Sequence, residues 1–229
     1  MLSVITPTYN TDPAVLARLW ASLKTQTFTD WEWVIYDDSV TDNVRWQVYG
    51  FCSDERYRIR YFRPHVPSGG NIGYVKRMAF SLGLGEALIE VDHDDALTAD
   101  CLASINEYLL KYPTAGFFYS DCCEILPSGE SGRYPQGWGL GYGSDYWCEE
   151  HQVWAMRVPV NRTTVSHIVS MPNHVRVWRT SAYHRIGGHN PDLRVADDYE
   201  LMVRTAIETE MVHIPRMLYR QYQIGRAHV

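Results

Sequence analysis

Short apolar segments alternate with amphipathic segments throughout the first half of this chain. The apolar segments cover residues 2–6, 32–36, 58–62 and 87–91, and the amphipathic ones begin at residues 12, 41, 71 and 98. Strands that alternate with helices of this length form a largely parallel sheet with helices on its faces. The sequence therefore predicts an α/β fold with a mixed, mostly parallel sheet flanked by helices.

Three polar clusters follow strands of the predicted sheet, at the point where each strand ends. They are residues 6–10, the pair Asp37-Asp38, and the segment Asp92-His93-Asp94-Asp95. Because ligands bind at the carboxyl ends of parallel strands, this coincidence locates the predicted site. Neighbouring carboxyl groups are costly to bring together unless a cation or a hydrogen-bonded ligand compensates them. Oxygen ligands favour a hard ion such as Mg²⁺ or Mn²⁺, and an acidic turn that caps the next helix is the alternative.

The second half of the chain changes character. Residues 127–154 are rich in glycine and aromatic side chains, and we predict a long irregular excursion there rather than a regular element. Beyond it, strands are predicted over residues 174–178, 211–214 and 217–222, with a helix from Asp197 or Asp198 to about residue 208. No internal repeat or linker marks a boundary, so we predict a single domain over residues 1–223.

Composition restricts the class of protein. The formal net charge of −6 argues against a general nucleic-acid binder, because such proteins present a basic face. No apolar run approaches the roughly 20 residues that a membrane-spanning helix requires, and the N-terminus lacks the basic segment of a signal peptide. Five cysteines occur in no metal-binding spacing, which predicts reduced thiols. We therefore expect a cytoplasmic protein, with peripheral association with the inner membrane face left open.

Six motifs follow one another along the chain. They are Ser3–Asn10, Gln26–Ser39, Asn71–Glu86, Asp92–Asp95, Tyr119–Asp121 and Ile186–Leu201. With these motifs the chain resembles the family-2 glycosyltransferases, enzymes of the GT-A fold that use nucleoside diphosphate sugars. The resemblance extends over residues 2–222 and implies a Rossmann-like domain. Its residues 1–124 would bind the donor, and its residues 125–223 would carry the acceptor side and the catalytic base.

The resemblance implies roles for individual residues on the donor side. Pro7 and Tyr9 would pack against the nucleobase, and the imide N–H of that base would donate to the Asp38 carboxylate. Uracil suits this arrangement because it offers one imide donor and a flat face. Asp92 would bind the ribose, and Asp94 would ligate the Mn²⁺ or Mg²⁺ ion carried by the diphosphate.

Arg77 and Asp198 complete the residues implied for the reaction. Arg77, beside Lys76, would neutralise diphosphate charge, with a solvated basic face as the equally weighted alternative. Asp198 would be the general base that deprotonates an acceptor hydroxyl in an inverting displacement. Its neighbour Asp197 leads us to expect a raised pKa for Asp198. The alternative reading of this acidic pair is a cap on the helix that follows, and both can hold together.

Aromatic residues of the second half are the candidates for acceptor binding, because sugar C–H faces pack on aromatic rings. Trp138 and Trp147 lie in the glycine-rich segment, and His174 would line the same side. An apolar cluster beneath a long loop is the equally weighted alternative.

These implications combine into one predicted function. The chain would transfer a hexosyl or N-acetylhexosaminyl group from a nucleoside diphosphate sugar, with UDP as the expected nucleotide, to a hydroxyl of a glycan or glycolipid in polysaccharide biosynthesis. A non-catalytic nucleotide- or carbohydrate-binding module derived from such an enzyme is the alternative from another class. A sugar-nucleotide nucleotidyltransferase ranks lower, because residues 6–12 lack the glycine-rich basic loop of those enzymes.

Residues 224–229 are predicted to be foreign to the domain. Their sequence, Ile-Gly-Arg-Ala-His-Val, is the translation of a widely used sequencing adapter followed by a stop codon. We therefore expect that the natural gene continues beyond Gln223.

Overall fold

The computed structural model describes residues 1–54, 56–133, 141, 143–168 and 171–223, in which helices cover both faces of one sheet. The strands are β1 (Leu2–Thr8), β2 (Trp31–Asp37), β3 (Arg58–Phe62), β4 (Ala87–Glu90), β5 (Ala96–Leu97), β6 (Phe117–Ile125), β7 (Ser144–Cys148), β8 (Val153–Arg157), β9 (Arg176–Arg179) and β10 (Met211–Tyr222). The helices are α1 (Pro13–Lys24), α2 (Asn43–Phe51), α3 (Ile72–Ser81), α4 (Cys101–Lys111), α5 (Arg162–His167), α6 (Thr180–Arg185) and α7 (Asp197–Glu208).

The sheet has the strand order β3-β2-β1-β4-β9-β6-β10-β5. β1 pairs in parallel with β2 and β4, and β2 pairs in parallel with β3. β9 runs antiparallel to its neighbours β4 and β6, whereas β10 is parallel to β6. This mixed, mostly parallel sheet confirms the predicted fold class. It also places the carboxyl ends of β1, β2 and β4 side by side.

Two large apolar clusters form most of the core, one on each face of the sheet, and a smaller third cluster lies between β6, β8 and β10. α1, α2 and α4 pack on one face, and α3, α6 and α7 pack on the other. Adjacent strand residues divide between the clusters, as Val4 and Ile5 of β1 do, because successive side chains of a strand point to opposite faces. A strand covered on both faces needs apolar residues on both, which explains the nearly continuous apolar runs in the sequence.

Several predicted elements coincide closely with the observed ones. β3 covers the predicted residues 58–62, and α7 covers Asp197–Glu208. α1 begins after Asp12, whose carboxylate accepts a 2.7 Å hydrogen bond from the Ala14 N–H. Pro13 occupies the first turn, where a missing N–H removes no helical hydrogen bond. These starts were predictable because capping residues act through local geometry.

Residues 144–154 differ from the prediction that was made for residues 127–154. We expected an irregular excursion, but β7 and the start of β8 form an antiparallel hairpin within this range, which extends to Arg157. The prediction was therefore wrong for these residues. The glycines that favour an irregular segment all lie before β7, whereas β7 and β8 contain none. The hairpin joins the sheet through β6, a pairing that the local sequence does not indicate.

A buried carboxylate fixes this hairpin to the sheet. Asp121 of β6 accepts hydrogen bonds from Tyr146 Oη at 2.9 Å and from Arg157 Nη2 at 2.8 Å. His213 Nε2 of β10 lies 2.7 Å from the other carboxylate oxygen. Removing an ionised group of this kind from water is tolerated because each oxygen has a partner.

Two predictions from composition can be compared with the structure. All five cysteines carry free thiols, as predicted. Within the described ranges, no helix is both long and apolar enough to cross a bilayer. The predicted foreign tail, residues 224–229, lies outside the described residues.

Candidate functional site

A cavity of about 340 Å³ opens at the carboxyl ends of β1, β2 and β4. Its lining consists of Pro7, Thr8, Tyr9, Asp38, Gly70, Ile72, Val75, Lys76, Asp92, His93 and Asp94. Parallel strands produce this convergence because their carboxyl ends share one edge of the sheet. Residues implied for the donor and its metal thus meet at one place, namely Pro7, Tyr9, Asp38, Asp92 and Asp94.

The loop after β1 is tied to the turn after β2. Asn10 has a positive φ of 47°, a conformation that asparagine tolerates better than most residues. Its N–H donates to Ser39 Oγ at 2.7 Å, and its Oδ1 accepts from the Val40 N–H at 3.2 Å. Tyr9, which is 51% exposed, therefore presents its ring to the cavity from a fixed loop.

Asp38 is held in place by Ser68, which lies in the loop between β3 and α3. Its Oδ1 accepts from the Ser68 N–H at 2.8 Å, and its Oδ2 accepts from Ser68 Oγ at 2.7 Å. A carboxylate oxygen has two lone pairs, so each oxygen can accept one further donor. Asp38 is therefore oriented without being saturated.

Asp94 and Asp95 of the acidic loop have different surroundings. Asp94 is half-buried in the cavity wall, and burial together with the neighbouring Asp92 raises its pKa. Asp95 is buried, and its oxygens accept from Tyr219 Oη at 2.7 Å and from the Tyr222 N–H at 2.8 Å. Burial, with Asp92 and Asp94, raises the pKa of Asp95 to about 8. A cluster of carboxyls this reluctant to ionise fits a hard divalent cation, and Asp94 is the member open to it.

Glu90, Asp92 and His174 form a second set with ligand atoms within 4.8 Å of one another. Glu90 already has cationic partners, because its Oε1 lies 2.7 Å from Lys76 Nζ and its Oε2 lies 3.5 Å from Arg176 Nη1. His174 Nε2 is buried without a hydrogen-bond partner among the described residues, 3.6 Å from Asp92 Oδ2. Within this set, Asp92 is therefore the carboxylate left free for a ligand in the cavity.

His174 and Arg77 do not lie where the resemblance implies. His174, expected on the acceptor side, is only 6% exposed and stacks on Tyr219 with ring centroids 4.9 Å apart. Arg77 does not line the cavity, and its guanidinium donates to the Gly187 carbonyl. Lys76 faces the cavity instead, because successive residues of a helix point about 100° apart.

Lys76 lies at the centre of a group of buried charges. Its Nζ is 2.7 Å from Glu90 Oε1 and 3.7 Å from Asp197 Oδ2. Burial lowers the pKa of Lys76, but Glu90, Asp92 and Asp197 outweigh burial and the net shift is upward. The same pairing holds the pKa of Glu90 well below its usual value despite burial. The expected alternative of a solvated basic face is therefore wrong for Lys76.

Asp198 is half-buried in the first turn of α7. Its Oδ2 accepts from Arg176 Nη1 at 3.1 Å, and its Oδ1 accepts from the Tyr199 N–H at 2.8 Å. Burial raises the pKa of Asp198, but Arg176 and then Lys76 lower it, and the net pKa lies below its usual value. The expected raised pKa was wrong for Asp198 and holds instead for the more deeply buried Asp197.

Of the two tryptophans implied for acceptor binding, Trp147 lies among the described residues. Trp147 is 38% exposed on β7 and contacts Trp154 edge-on, with ring centroids 5.6 Å apart. It does not line the described cavity. Trp138 lies outside the described residues.

Sequence reasoning missed Arg176, which connects the two acidic clusters. Its Nη1 lies 3.5 Å from Glu90 and 3.1 Å from Asp198. A signal was present in the sequence, since Glu90 directly follows the apolar residues 87–89 and Arg176 lies between Val175 and Val177. Such residues are almost never fully buried unless they are paired.

The family model described as glycosyl transferase family 2 matches residues 3–163 of this chain. The chain belongs to this family. The matched range includes every residue that lines the cavity, and it ends before α7 and Asp198.

Relatives among characterised and uncharacterised bacterial proteins match nearly the whole chain. The O-antigen biosynthesis protein RfbC of Myxococcus xanthus is 23% identical over 220 residues, which cover 96% of this chain and 16% of RfbC. The putative colanic acid biosynthesis glycosyl transferase WcaA of Escherichia coli is 24% identical over 208 residues, which cover 91% of this chain and 67% of WcaA. The uncharacterized protein y4gI of Sinorhizobium fredii is 24% identical, and this chain spans 22% of its length.

Solved structures share the fold. S. aureus TarS 1-349 in complex with UDP-GlcNAc has a TM-score of 0.73 and 18% identity, covering 99% of this chain and 60% of that one. The mannosyltransferase PcManGT from Pyrobaculum calidifontis in complex with GDP-Man and Mn²⁺ has a TM-score of 0.67 and 18% identity, covering 99% of this chain and 58% of that one. These similarities show that the domain has the GT-A fold.

Proposed function

We propose that this chain is a metal-dependent glycosyltransferase that transfers a hexosyl or N-acetylhexosaminyl group from a nucleoside diphosphate sugar to a hydroxyl. The observation that carries the proposal is the cavity at the ends of β1, β2 and β4. Tyr9, Asp38 and Asp94 come from three separate segments and line it together. Family membership supports the class of reaction.

UDP is the proposed donor nucleotide. Tyr9 offers an exposed flat ring, and the fixed Asp38 carboxylate has lone pairs left for the imide N–H of uracil. TarS, whose structure contains UDP-GlcNAc, supports this choice. PcManGT contains GDP-Man instead, so GDP is the comparison ligand in any binding test.

Asp94 is the residue proposed to hold Mn²⁺ or Mg²⁺, with Asp92 beside it to bind the ribose. Carboxylate oxygens are the ligands that these hard cations prefer. When bound, such an ion would stabilise the negative charge of the departing nucleoside diphosphate. Lys76, held 2.7 Å from Glu90, adds fixed positive charge to the same cavity wall.

Asp198 is the proposed general base. The acceptor oxygen attacks the anomeric carbon while the bond from that carbon to the diphosphate breaks, and the hydroxyl proton passes to Asp198. Direct displacement of this kind inverts the configuration at the anomeric carbon. Arg176 supports the role because it lowers the pKa of Asp198, which keeps this carboxylate ionised and able to accept a proton near neutral pH.

The proposed acceptor is a hydroxyl of a glycan or glycolipid in polysaccharide biosynthesis. RfbC and WcaA, whose names refer to O-antigen and colanic acid biosynthesis, support this setting. In the proposed arrangement residues 1–124 bind the donor, and residues 125–223 provide the base and the acceptor side, where Trp147 is the described candidate. A cytoplasmic location beside the inner membrane face would suit a glycolipid acceptor.

The Asp198→Asn variant tests the reaction. We expect kcat for UDP release from UDP-glucose or UDP-GlcNAc, measured with Mn²⁺ present, to fall by about 10²–10⁴-fold, because the amide accepts no proton. UDP affinity should stay within about twofold, since Asp198 does not line the donor cavity. With Mn²⁺ and donor saturating, the acid limb of kcat that Asp198 sets in the wild type should lie below the ordinary aspartate pKa of about 3.9.

Asp192→Asn is the matched control, because Asp192 is an exposed aspartate in the loop before α7. Its kinetics should equal those of the wild type. A wild-type chain that binds UDP but releases none from either sugar nucleotide would favour the non-catalytic binding module. Unchanged turnover in Asp198→Asn would remove Asp198 from the mechanism.

A further inference from the structure

Tyr219 of β10 touches three parts of the acidic site at once. Its Oη accepts a hydrogen bond from the Asp92 N–H at 3.1 Å and donates one to Asp95 Oδ2 at 2.7 Å. Its ring stacks on His174, whose Nε2 lies 3.6 Å from Asp92 Oδ2. One fully buried side chain thus supports both ends of the acidic loop and the imidazole behind it.

The direction of these hydrogen bonds is fixed. A backbone N–H can only donate, so the bond from Asp92 uses a lone pair of the Tyr219 hydroxyl. The hydroxyl hydrogen is then available to the Asp95 carboxyl, 2.7 Å away. Phenylalanine at position 219 would keep the ring and lose both hydrogen bonds.

A second contact from β10 reinforces the first. The Tyr222 N–H donates to Asp95 Oδ1 at 2.8 Å, so both oxygens of that buried carboxyl are bound to one strand. The ring of Tyr222 also supports the Arg18 guanidinium at 3.7 Å, and Arg18 Nη2 donates to the Asp94 carbonyl at 2.5 Å. The backbone on both sides of the Asp94 side chain is therefore restrained from outside the loop.

We propose that Tyr219 is a positioning residue that holds the acidic loop in the conformation that receives the divalent cation and the diphosphate. This inference rests on the proposed function. Asp92 and Asp94 carry like charges in a short loop, and their mutual repulsion favours conformations in which they separate. The Tyr219 and Asp95 contacts oppose that separation before any ligand arrives. Ligand binding then does not have to order the loop, which improves affinity.

The test compares Tyr219→Phe with Tyr119→Phe. Tyr119 is a buried tyrosine on the adjacent strand β6, and its Oη accepts from the Val160 N–H at 3.1 Å, away from the acidic loop. Both variants lose a buried hydroxyl with a hydrogen bond, so both should lower the melting temperature. Mn²⁺ affinity is measured by electron paramagnetic resonance, and UDP affinity is measured by calorimetry over a range of Mn²⁺ concentrations.

For Tyr219→Phe we expect about a tenfold increase in the Mn²⁺ concentration required for half-maximal UDP binding. Saturating Mn²⁺ should restore most of the UDP affinity, because the cation can draw the carboxylates together in place of the brace. Turnover should then show a raised KM for the donor at low Mn²⁺ with kcat little changed at saturation. Tyr119→Phe should match the wild type in Mn²⁺ affinity, in UDP affinity and in turnover.

The outcomes separate this inference from the proposed function. If both variants lose similar thermal stability and neither changes the Mn²⁺ requirement, Tyr219 is a core residue only and the inference is wrong. A wild-type chain that binds Mn²⁺ but no UDP contradicts the proposed donor, while the Mn²⁺ affinities of the two variants still decide the role of Tyr219. Metal-independent UDP binding in the wild type overturns the inference directly.

Discussion

At the scale of single residues, the site depends on buried charges that neutralise one another. Glu90 is fully buried at the end of β4, and Lys76 and Arg176 lie beside it. Breaking a buried pair by removing one partner leaves an uncompensated charge, which costs far more than losing a surface pair. Lys76 also lines the cavity, so the stability of this group is linked to the electrostatics of the site.

Lys76→Met should lower the free energy of unfolding by about 3–5 kcal/mol at pH 7, because it leaves Glu90 buried without its nearest cation. The depressed pKa of Glu90 contributes stability that is present above its unfolded value of about 4.3 and is lost as pH falls through the folded value. The difference between wild type and variant should therefore shrink in acid. Urea unfolding from pH 7 to pH 3 measures it.

Lys24→Met is the control for this comparison, because Lys24 is an exposed lysine of α1. Its free energy of unfolding should stay within about 0.5 kcal/mol of the wild type at every pH. A Lys76→Met variant as stable as Lys24→Met would show that the Glu90 pair contributes nothing to the fold.

The residues that meet at the site could be predicted where strand geometry brings them together. They could not be predicted where a contact joins side chains far apart in the sequence. The ends of parallel strands had to bring Tyr9, Asp38 and Asp94 together. Arg176 changes the pKa of Asp198 through a contact between residues 22 apart, and it reaches Glu90 across 86 residues. Such pairings follow from the packing of whole elements, so the sequence could propose Asp198 as a base but predicted the wrong direction for its pKa shift.

At the scale of elements, α3 forms one wall of the cavity and packs closely against residues 190–193. The Gly73 N–H donates to the Leu193 carbonyl at 3.1 Å, and Asn71 Nδ2 donates to the Pro191 carbonyl at 2.8 Å. A Cβ built on Gly73 would lie 2.6 Å from the Leu193 carbonyl oxygen and still closer to that of Asn190. Glycine is therefore required here by close approach of two backbones.

Gly73→Ala should lower the free energy of unfolding by about 1–3 kcal/mol and weaken UDP binding, because moving α3 moves Ile72 and Lys76 in the cavity wall. Gly50→Ala in α2 should instead raise the free energy of unfolding, since nothing lies within 4 Å of the new Cβ. There the gain in helix propensity should add about 0.5–1 kcal/mol of stability without changing UDP binding. Thermal unfolding and calorimetry measure both effects, and equal effects of the two substitutions would contradict this description of the α3 contact.

At the scale of the whole molecule, the strand and helix alternation of the first half predicted the parallel part of the sheet, β1 to β4, and the resemblance to a known family added the GT-A fold. Local signals were sufficient there because each strand is followed by its own covering helix. In the second half, β9 runs antiparallel between β4 and β6, and the β7–β8 hairpin joins β6, so neighbours in the sheet are distant in sequence. Their pairing depends on tertiary packing, which periodicity does not record.

In the function proposed above, the fold brings the acidic loop, residues 92–95, and the loop after β1 together as a metal-dependent UDP site. Calorimetric titration of UDP, and of GDP for comparison, with Mn²⁺ or with EDTA tests it most directly. The variants are Asp94→Ala and its control Asp30→Ala, an exposed aspartate at the opposite edge of the sheet. We predict that UDP binds only with Mn²⁺, that Asp94→Ala abolishes this binding and that Asp30→Ala retains it. UDP binding of equal strength in EDTA, or binding unaffected by Asp94→Ala, would contradict a metal-dependent UDP site at this position.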